Sequence, residues 1–276
     1  MRRWAVGAVV LGLCGGAWAS VTPVDRFEIL SLDAVLRLAD DQQNPIVFET
    51  FLSENAVQNT LLPSVFSASL AGSGTLLDVT STTTVATASA SGSHTSTLTF
   101  SPMSLLLEAS GRLDAQGALV DLDLYDPSTP YDSGTIDVVA VYNSALRFLL
   151  PTLPADYELE VTLSEGLGTV FHDGFLYEDV NDNGFYEFGT DVLIADLPLV
   201  FVNGSSSLSG TIPPSPNPYG VLLFGNTSDR PNLPGSEFVS GANYTARFSL
   251  TVIPEPASAG LLGAAGAVLL GRRRRA

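Results

Sequence analysis

The chain has 276 residues, among them 12 basic and 29 acidic ones, with a formal net charge of −17, a single cysteine and no lysine. Arg2, Arg3 and Arg272 to Arg275 account for six of the twelve basic residues; setting these and Glu255 aside leaves 28 acids against six arginines, a net of −22. Such a surface repels phosphate backbones and so argues against nucleic-acid binding, while it attracts divalent cations and keeps an extracellular protein soluble.

In chain order, the first element is a leader. Arg2 and Arg3 precede the apolar stretch Trp4 to Leu13, and Ala17 and Ala19 are the small residues of a cleavage site before Ser20. Residues 1–19 are therefore expected to be a secretory signal peptide removed by signal peptidase. Leu13 stands before Cys14 where lipoprotein processing needs a small residue, and nothing around Arg2-Arg3 adds to a twin-arginine address. Cys14 leaves with the leader, so the mature chain holds no thiol for a disulfide, a nucleophile or a metal. Residues 20–252, about 233 of them, suffice for one large β domain or two small ones.

Phe27 to Leu38 opens with alternation and then loses phase, which reads as a strand, with a short helix as the other reading. Phe48 to Leu52 reads as a second short strand. From Ser67 to Ser101 the chain is rich in Ser, Thr, Ala and Gly; this predicts an exposed sheet that contributes little to a core, or else a stalk-like segment. Clear period-two alternation follows in Val120 to Leu124, Tyr157 to Leu163 and Tyr244 to Val252, with less regular runs at Leu105 to Leu113, Ile136 to Tyr142, Val192 to Val202 and Val221 to Phe224. Turn clusters separate them, among them Asp126 to Pro130, Asp132-Ser133-Gly134 and Pro213 to Pro218. No long 3.6-period segment occurs between the two ends. Residues 20–252 are thus expected to form an all-β domain, a jelly-roll-like antiparallel β-sandwich.

One internal motif carries oxygen donors at a metal-ligand spacing: Asp179-Val180-Asn181-Asp182-Asn183-Gly184-Phe185-Tyr186-Glu187-Phe188-Gly189-Thr190-Asp191. Its opening resembles calcium loops of the EF-hand and dockerin type. That resemblance implies side-chain ligands Asp179, Asn181 and Asn183, a backbone ligand at Phe185, and Glu187 direct or through water. Thr190 stands where an EF-hand needs a bidentate glutamate, and Asp191 is the available substitute. The competing reading is a hairpin turn at Asp182-Asn183-Gly184 between Phe175 to Tyr177 and Phe185 to Phe188.

Signals for an active site are absent. His94 and His172 fall in no metal spacing and read as surface or turn residues, Glu158 and Glu160 read as an acidic solvent face, and no Gly-x-Ser-x-Gly elbow occurs. The expectation is a non-enzymatic protein.

The last element is Ile253-Pro254-Glu255-Pro256, the apolar run Ala257 to Leu270, Gly271 and Arg272 to Arg275. As a helix that run covers about 21 Å, short of the roughly 30 Å hydrocarbon core. Pro254 and Pro256 break a helix entering from upstream, and Arg272, Arg273, Arg274 and Arg275 end it with a cytoplasmic charge cluster. The triplet, the leucine-rich run and the arginines resemble the PEP-CTERM sorting signal of Gram-negative bacteria. That resemblance covers residues 253–276 and implies a short transmembrane-type helix, a transient inner-membrane intermediate, and processing near Pro254-Glu255-Pro256 by an exosortase-type protease. It also implies a final place at the cell surface or in the extracellular matrix, in exopolysaccharide and biofilm settings. For the body two functions stand side by side: a structural, matrix-associated protein, or a calcium-stabilised module that binds extracellular polysaccharide or serves adhesion. The aromatic set Phe171, Phe175, Tyr177, Phe185, Tyr186 and Phe188 is the place to look for the second.

Overall fold

A computed structural model describes residues 20–39, 45–61, 64–78, 80, 82–120, 133–229 and 235–254. Residues 1–19, with the expected leader, and residues 255–276, with the expected tail helix, lie outside the described residues, as do Asp121 to Leu124 of one expected strand.

The described residues form strands and no helix. The first six strands are β1 (Thr22–Ala39), β2 (Pro45–Gln58), β3 (Val65–Leu77), β4 (Thr84–Ser101), β5 (Ser104–Leu119) and β6 (Ser133–Leu150). They are followed by β7 (Ala155–Leu167), β8 (Val170–Glu178), β9 (Val192–Asp196), β10 (Val200–Phe201), β11 (Gly204–Ile212), β12 (Ser215–Asp229) and β13 (Ser236–Val252). One sheet has the order β10-β8-β12-β6-β1-β2, with β9 also on β8; the facing sheet is β11-β7-β13-β5-β4-β3, and every pairing between these strands is antiparallel.

From β5 onward the pairs nest. β5 lies beside β13, β6 beside β12, β7 beside β11, and β8 beside the broken edge of β9 and β10. This is the strand order of a jelly roll, a long antiparallel ribbon folded over itself into two sheets. The four N-terminal strands widen it, β1 and β2 continuing one sheet past β6 while β4 and β3 continue the other past β5.

Alternation explains the core. Tyr157, Leu159, Val161 and Leu163 of β7, and Tyr244, Ala246, Phe248, Leu250 and Val252 of β13, all point inward and are buried. Leu30, Leu32 and Leu36 from β1 meet the same core as Leu105, Leu107 and Leu113 from β5. Each fully buried side chain of this size stabilises the fold by about 1.5–3 kcal/mol. The Ser/Thr-rich stretch is not peripheral: Ala86, Ala88, Ala90, His94, Ser96 and Leu98 of β4 are all buried. Its small residues make room, since a Cβ on Gly92 would lie 2.9 Å from Leu30 Cδ1.

β1 corrects the expected phase. Arg26 and Glu28 point inward with Leu30, Leu32, Ala34 and Leu36, whereas Phe27 is 40% exposed. The alternation never breaks; two buried charges disguised it. The Pro-rich cluster is corrected as well, because β12 starts at Ser215 and contains Pro216 and Pro218. A register shift against β6 between Ser215 and Tyr219 accommodates them, as prolines without an N–H require.

Both ends of the body emerge together. Pro23, Phe148, Tyr219 and Glu178 form one cross-strand row, and Val252 is paired with Ala155 just after β6 ends. Ser20, Pro254 and the loop after Glu178 therefore share one end of the sandwich.

Candidate functional site

The 179–191 segment joins β8 to β9 at that end. β8 pairs with Val192–Asp196 and not with Phe185 to Phe188, so the hairpin expected at Asp182-Asn183-Gly184 is not formed. The ladder resumes only at Val192 because the intervening backbone N–H groups are taken by side chains. The Asp179 carboxylate accepts from the N–H groups of Asn183 at 3.2 Å and Gly184 at 2.9 Å; that of Asp191 accepts from Val180 at 3.0 Å and Glu187 at 2.7 Å. Gly184 takes φ +88°, Gly189 +87° and Asp182 +53°, conformations that a long irregular loop of this kind uses.

Five of the six residues named as ligands are joined by their side chains. Asn181 Nδ2 and Asn183 Nδ2 donate to the two oxygens of Glu187 at 2.9 and 2.8 Å, while Asp179 and Asp191 are buried and bind the backbone at the two ends of the loop. Phe185 enters through its N–H, which donates to Asn183 Oδ1 at 2.9 Å. The donor chemistry suits a hard cation: turning either amide about its last torsion exchanges NH₂ for oxygen, so that Asn181, Asn183 and Glu187 present oxygens to one another. As folded here the loop closes on protein donors, and among the described residues no three His, Cys, Asp or Glu side chains are grouped to hold a metal.

A cation of the protein's own sits beside it. Arg147, on the outer face of β6, reaches over Gly220 to Asp179 at 2.9 Å and Asp182 at 2.8 Å, and holds Asp25 through Nε and Nη2. Hydrogen bonding to Asp25, reinforced by Asp179, outweighs burial and raises the guanidinium above its already high range. On the other side of Gly220 lies Tyr177, and a Cβ at Gly220 would come within 2.2 Å of that ring. Burial first, then the charge of Asp179, pushes the Tyr177 hydroxyl up to about 12. Tyr186 folds back onto Phe175 and Tyr177, with centroids at 5.3 and 5.4 Å.

The expected aromatic set thus divides. Phe175, Tyr177 and Tyr186 pack on one another, Phe171 meets Phe224 edge-on at 6.0 Å, and Phe185 and Phe188 stand 75% and 94% exposed.

A second cluster escaped the sequence reading. His94 and His172 are fully buried, not surface or turn residues. Arg26 Nε donates to Glu28 Oε1 at 2.6 Å, and its Nη atoms reach Ser64 O, Ser96 O and Ser96 Oγ. Glu28 Oε2 lies 3.0 Å from His94 Nε2 and accepts from Ser144 Oγ at 2.6 Å; His94 Nδ1 is 2.6 Å from the Tyr244 hydroxyl. Burial opposes ionisation of Glu28, but the hydrogen bonds of His94 and Ser144 and the charge of Arg26 outweigh it, holding the carboxyl below its usual range. Tyr244 and Tyr142 stack at 3.9 Å, and Gly111 and Gly225 provide the space beside these rings. The grouping of Glu, His and Tyr resembles a catalytic array, yet Arg26, Glu28 and His94 are each at most 1% exposed, so a substrate has no way in. Its role is to satisfy buried polar groups between the sheets. The signal for it in the sequence was the inward phase shared by Arg26, Glu28 and Leu30.

Glu158 and Glu160 face solvent on β7, as expected. Glu160 lines an open depression of about 360 Å³ on the outer face of its sheet, with Thr95, Thr97, Glu108, Ser110 and Arg247. Arg247 lies 3.6 Å from Glu158 and 3.9 Å from Glu108.

No protein-family model matches the chain, and no curated protein is similar to it. Among solved structures, it is similar to one of the infectious bursal disease virus Gx strain, at 8% identity and a TM-score of 0.26, over 86% of this chain and 62% of that one. It thus spans less than two thirds of the viral chain. A carbohydrate-binding module of the β-sandwich superfamily aligns over 85% of this chain and 98% of its own, at 7% identity and a TM-score of 0.24.

Proposed function

We propose that this is an exported, non-enzymatic surface or matrix-associated protein, released from a transient inner-membrane intermediate by exosortase-type processing at Pro254-Glu255-Pro256. The observation that supports the reading is where the last described strand ends. β13 is held on both sides, by β5 and β7, its last ladder pair is Val252 with Ala155, and Ile253 N–H donates to Pro154 O at 2.9 Å. The triplet begins at the next residue, so a cut there leaves every described strand in place. The test is intact mass and membrane fractionation of the native protein beside a Glu255→Ala variant. The expected native product lacks both the leader and the arginine cluster, and the variant stays in the inner membrane at full tail length. Native protein recovered with Arg272 to Arg275 still attached overturns the reading.

A second reading, a calcium-stabilised carbohydrate-binding or adhesion module, is favoured by the oxygen-rich 179–191 loop and the exposed rings of Phe185 and Phe188 within it. A glycan array probed with residues 20–252 separates the two: no bound glycan leaves the structural role.

A further inference from the structure

The 179–191 loop combines an end-on position with uncovered apolar surface. It leaves β8 at the end of the sandwich from which Pro254 also emerges, and Val180, Phe185 and Phe188 are 44%, 75% and 94% exposed there. β12 faces β13 across the sandwich and is paired with β8, so the loop and the exit of the chain are separated by one sheet gap and about one strand, roughly 10–15 Å. Only Glu255 and Pro256 stand between Pro254 and the apolar run that starts at Ala257. The three steps from Pro254 to Ala257 reach about 10 Å, so a run seated in a bilayer holds this end of the body close to the headgroups. The charges of the loop are largely engaged: Asp179 and Asp182 with Arg147, Glu187 with two amides, Asp191 with two backbone N–H groups. Beside the exposed polar side chains of Asn181, Asp182, Asn183 and Glu187 the loop turns two phenylalanines outward, and aromatic rings are at home in the interfacial zone of a bilayer.

We propose, resting on the membrane-seated tail above, that the Phe185/Phe188 loop is a lipid-contacting surface that docks the unprocessed protein end-on against the outer face of the inner membrane. It sets the orientation in which the triplet meets its protease.

Because the mature chain has no cysteine, single labelling sites are available. The leaderless chain carrying the full tail is reconstituted in vesicles of phosphatidylethanolamine and phosphatidylglycerol. An environment-sensitive fluorophore is placed at Thr190→Cys in the loop, at Leu167→Cys on the opposite end, or at Ala264→Cys in the tail, and nitroxide-labelled lipid is the quencher. The expected result is loss of emission at positions 264 and 190 but not at 167, with the loss at 190 abolished by adding Phe185→Ser and Phe188→Ser. Quenching at 264 with none at 190, or quenching at 190 that survives the double serine change, overturns the docking surface and leaves the tail reading intact. Absence of quenching at 264 removes the seated tail and the docking surface together. Thr190, Phe185 and Phe188 are all exposed, so these changes leave the core packing untouched.

Discussion

At the scale of single residues, the charges closed between the sheets decide how the protein responds to acid. His172 is fully buried, and its Nδ1 lies 3.0 Å from the carbonyl of Asp173, while Nε2 has no hydrogen-bond partner among the described residues. Burial drives its pKa down to about 3, against a partial opposing pull from that carbonyl. A group whose folded pKa is depressed loses stability as pH falls from its unfolded value towards its folded one, here from about 6.5 to about 3. Urea midpoints should therefore decline between pH 6.5 and 4, at up to about 1.4 kcal/mol per pH unit from this residue alone. His172→Leu is expected to flatten that decline; an unchanged slope would mean other groups cause it. Arg26 and Glu28 make the second residue-scale prediction. Removing one partner leaves the other charge buried without its counter-charge, held only by its remaining hydrogen bonds, so Arg26→Leu or Glu28→Leu should each cost about 3–5 kcal/mol, while the double change costs less than the sum. Urea unfolding of the three variants measures that coupling, and strict additivity would show that the pair does not act as a unit.

The 179–191 loop is where the element scale matters most. A hairpin turn needs its N–H groups in a ladder, but here Asp179 and Asp191 capture four of them, and Arg147 and Tyr186 tie the loop to the outer face of β8 and β6. If the loop takes calcium, millimolar calcium raises the thermal midpoint and Asp179→Ala abolishes the rise. An unmoved midpoint shows that Arg147 and the amide bonds to Glu187 are sufficient closure. Arg147→Ala should open the loop whether or not calcium binds, seen as faster amide exchange at Asn183 and Gly184.

For the whole molecule, the two ends of the body sit together and the final strand lies inside a sheet, not at its edge. Ending the chain after Pro254 should therefore leave the thermal midpoint within a degree or so of that of the full-tail protein. Ending it before β13 should abolish folding, because β5 and β7 then lose their shared neighbour. Calorimetry of the two truncations checks both statements. The sequence by itself determined the sandwich, since β7 and β13 repeat apolar and polar residues with a period of two and that period has one burial solution per strand. It also carried the oxygen-donor spacing of residues 179–191, and the Pro-Glu-Pro triplet, apolar run and arginine cluster of residues 254–275, on which the proposed sorting rests. Only the tertiary structure decided that Arg26, Glu28 and His94 are core and Phe27 is surface, that the serine- and threonine-rich strand β4 buries one of its faces, and that the 179–191 loop and Pro254 share one end. The physical reason is that period reports which residues share a face, while which face is buried depends on partners far along the chain: Ser96, Ser144 and Tyr244 make the inside of β1 hospitable to charge, and no local pattern around Arg26 contains them.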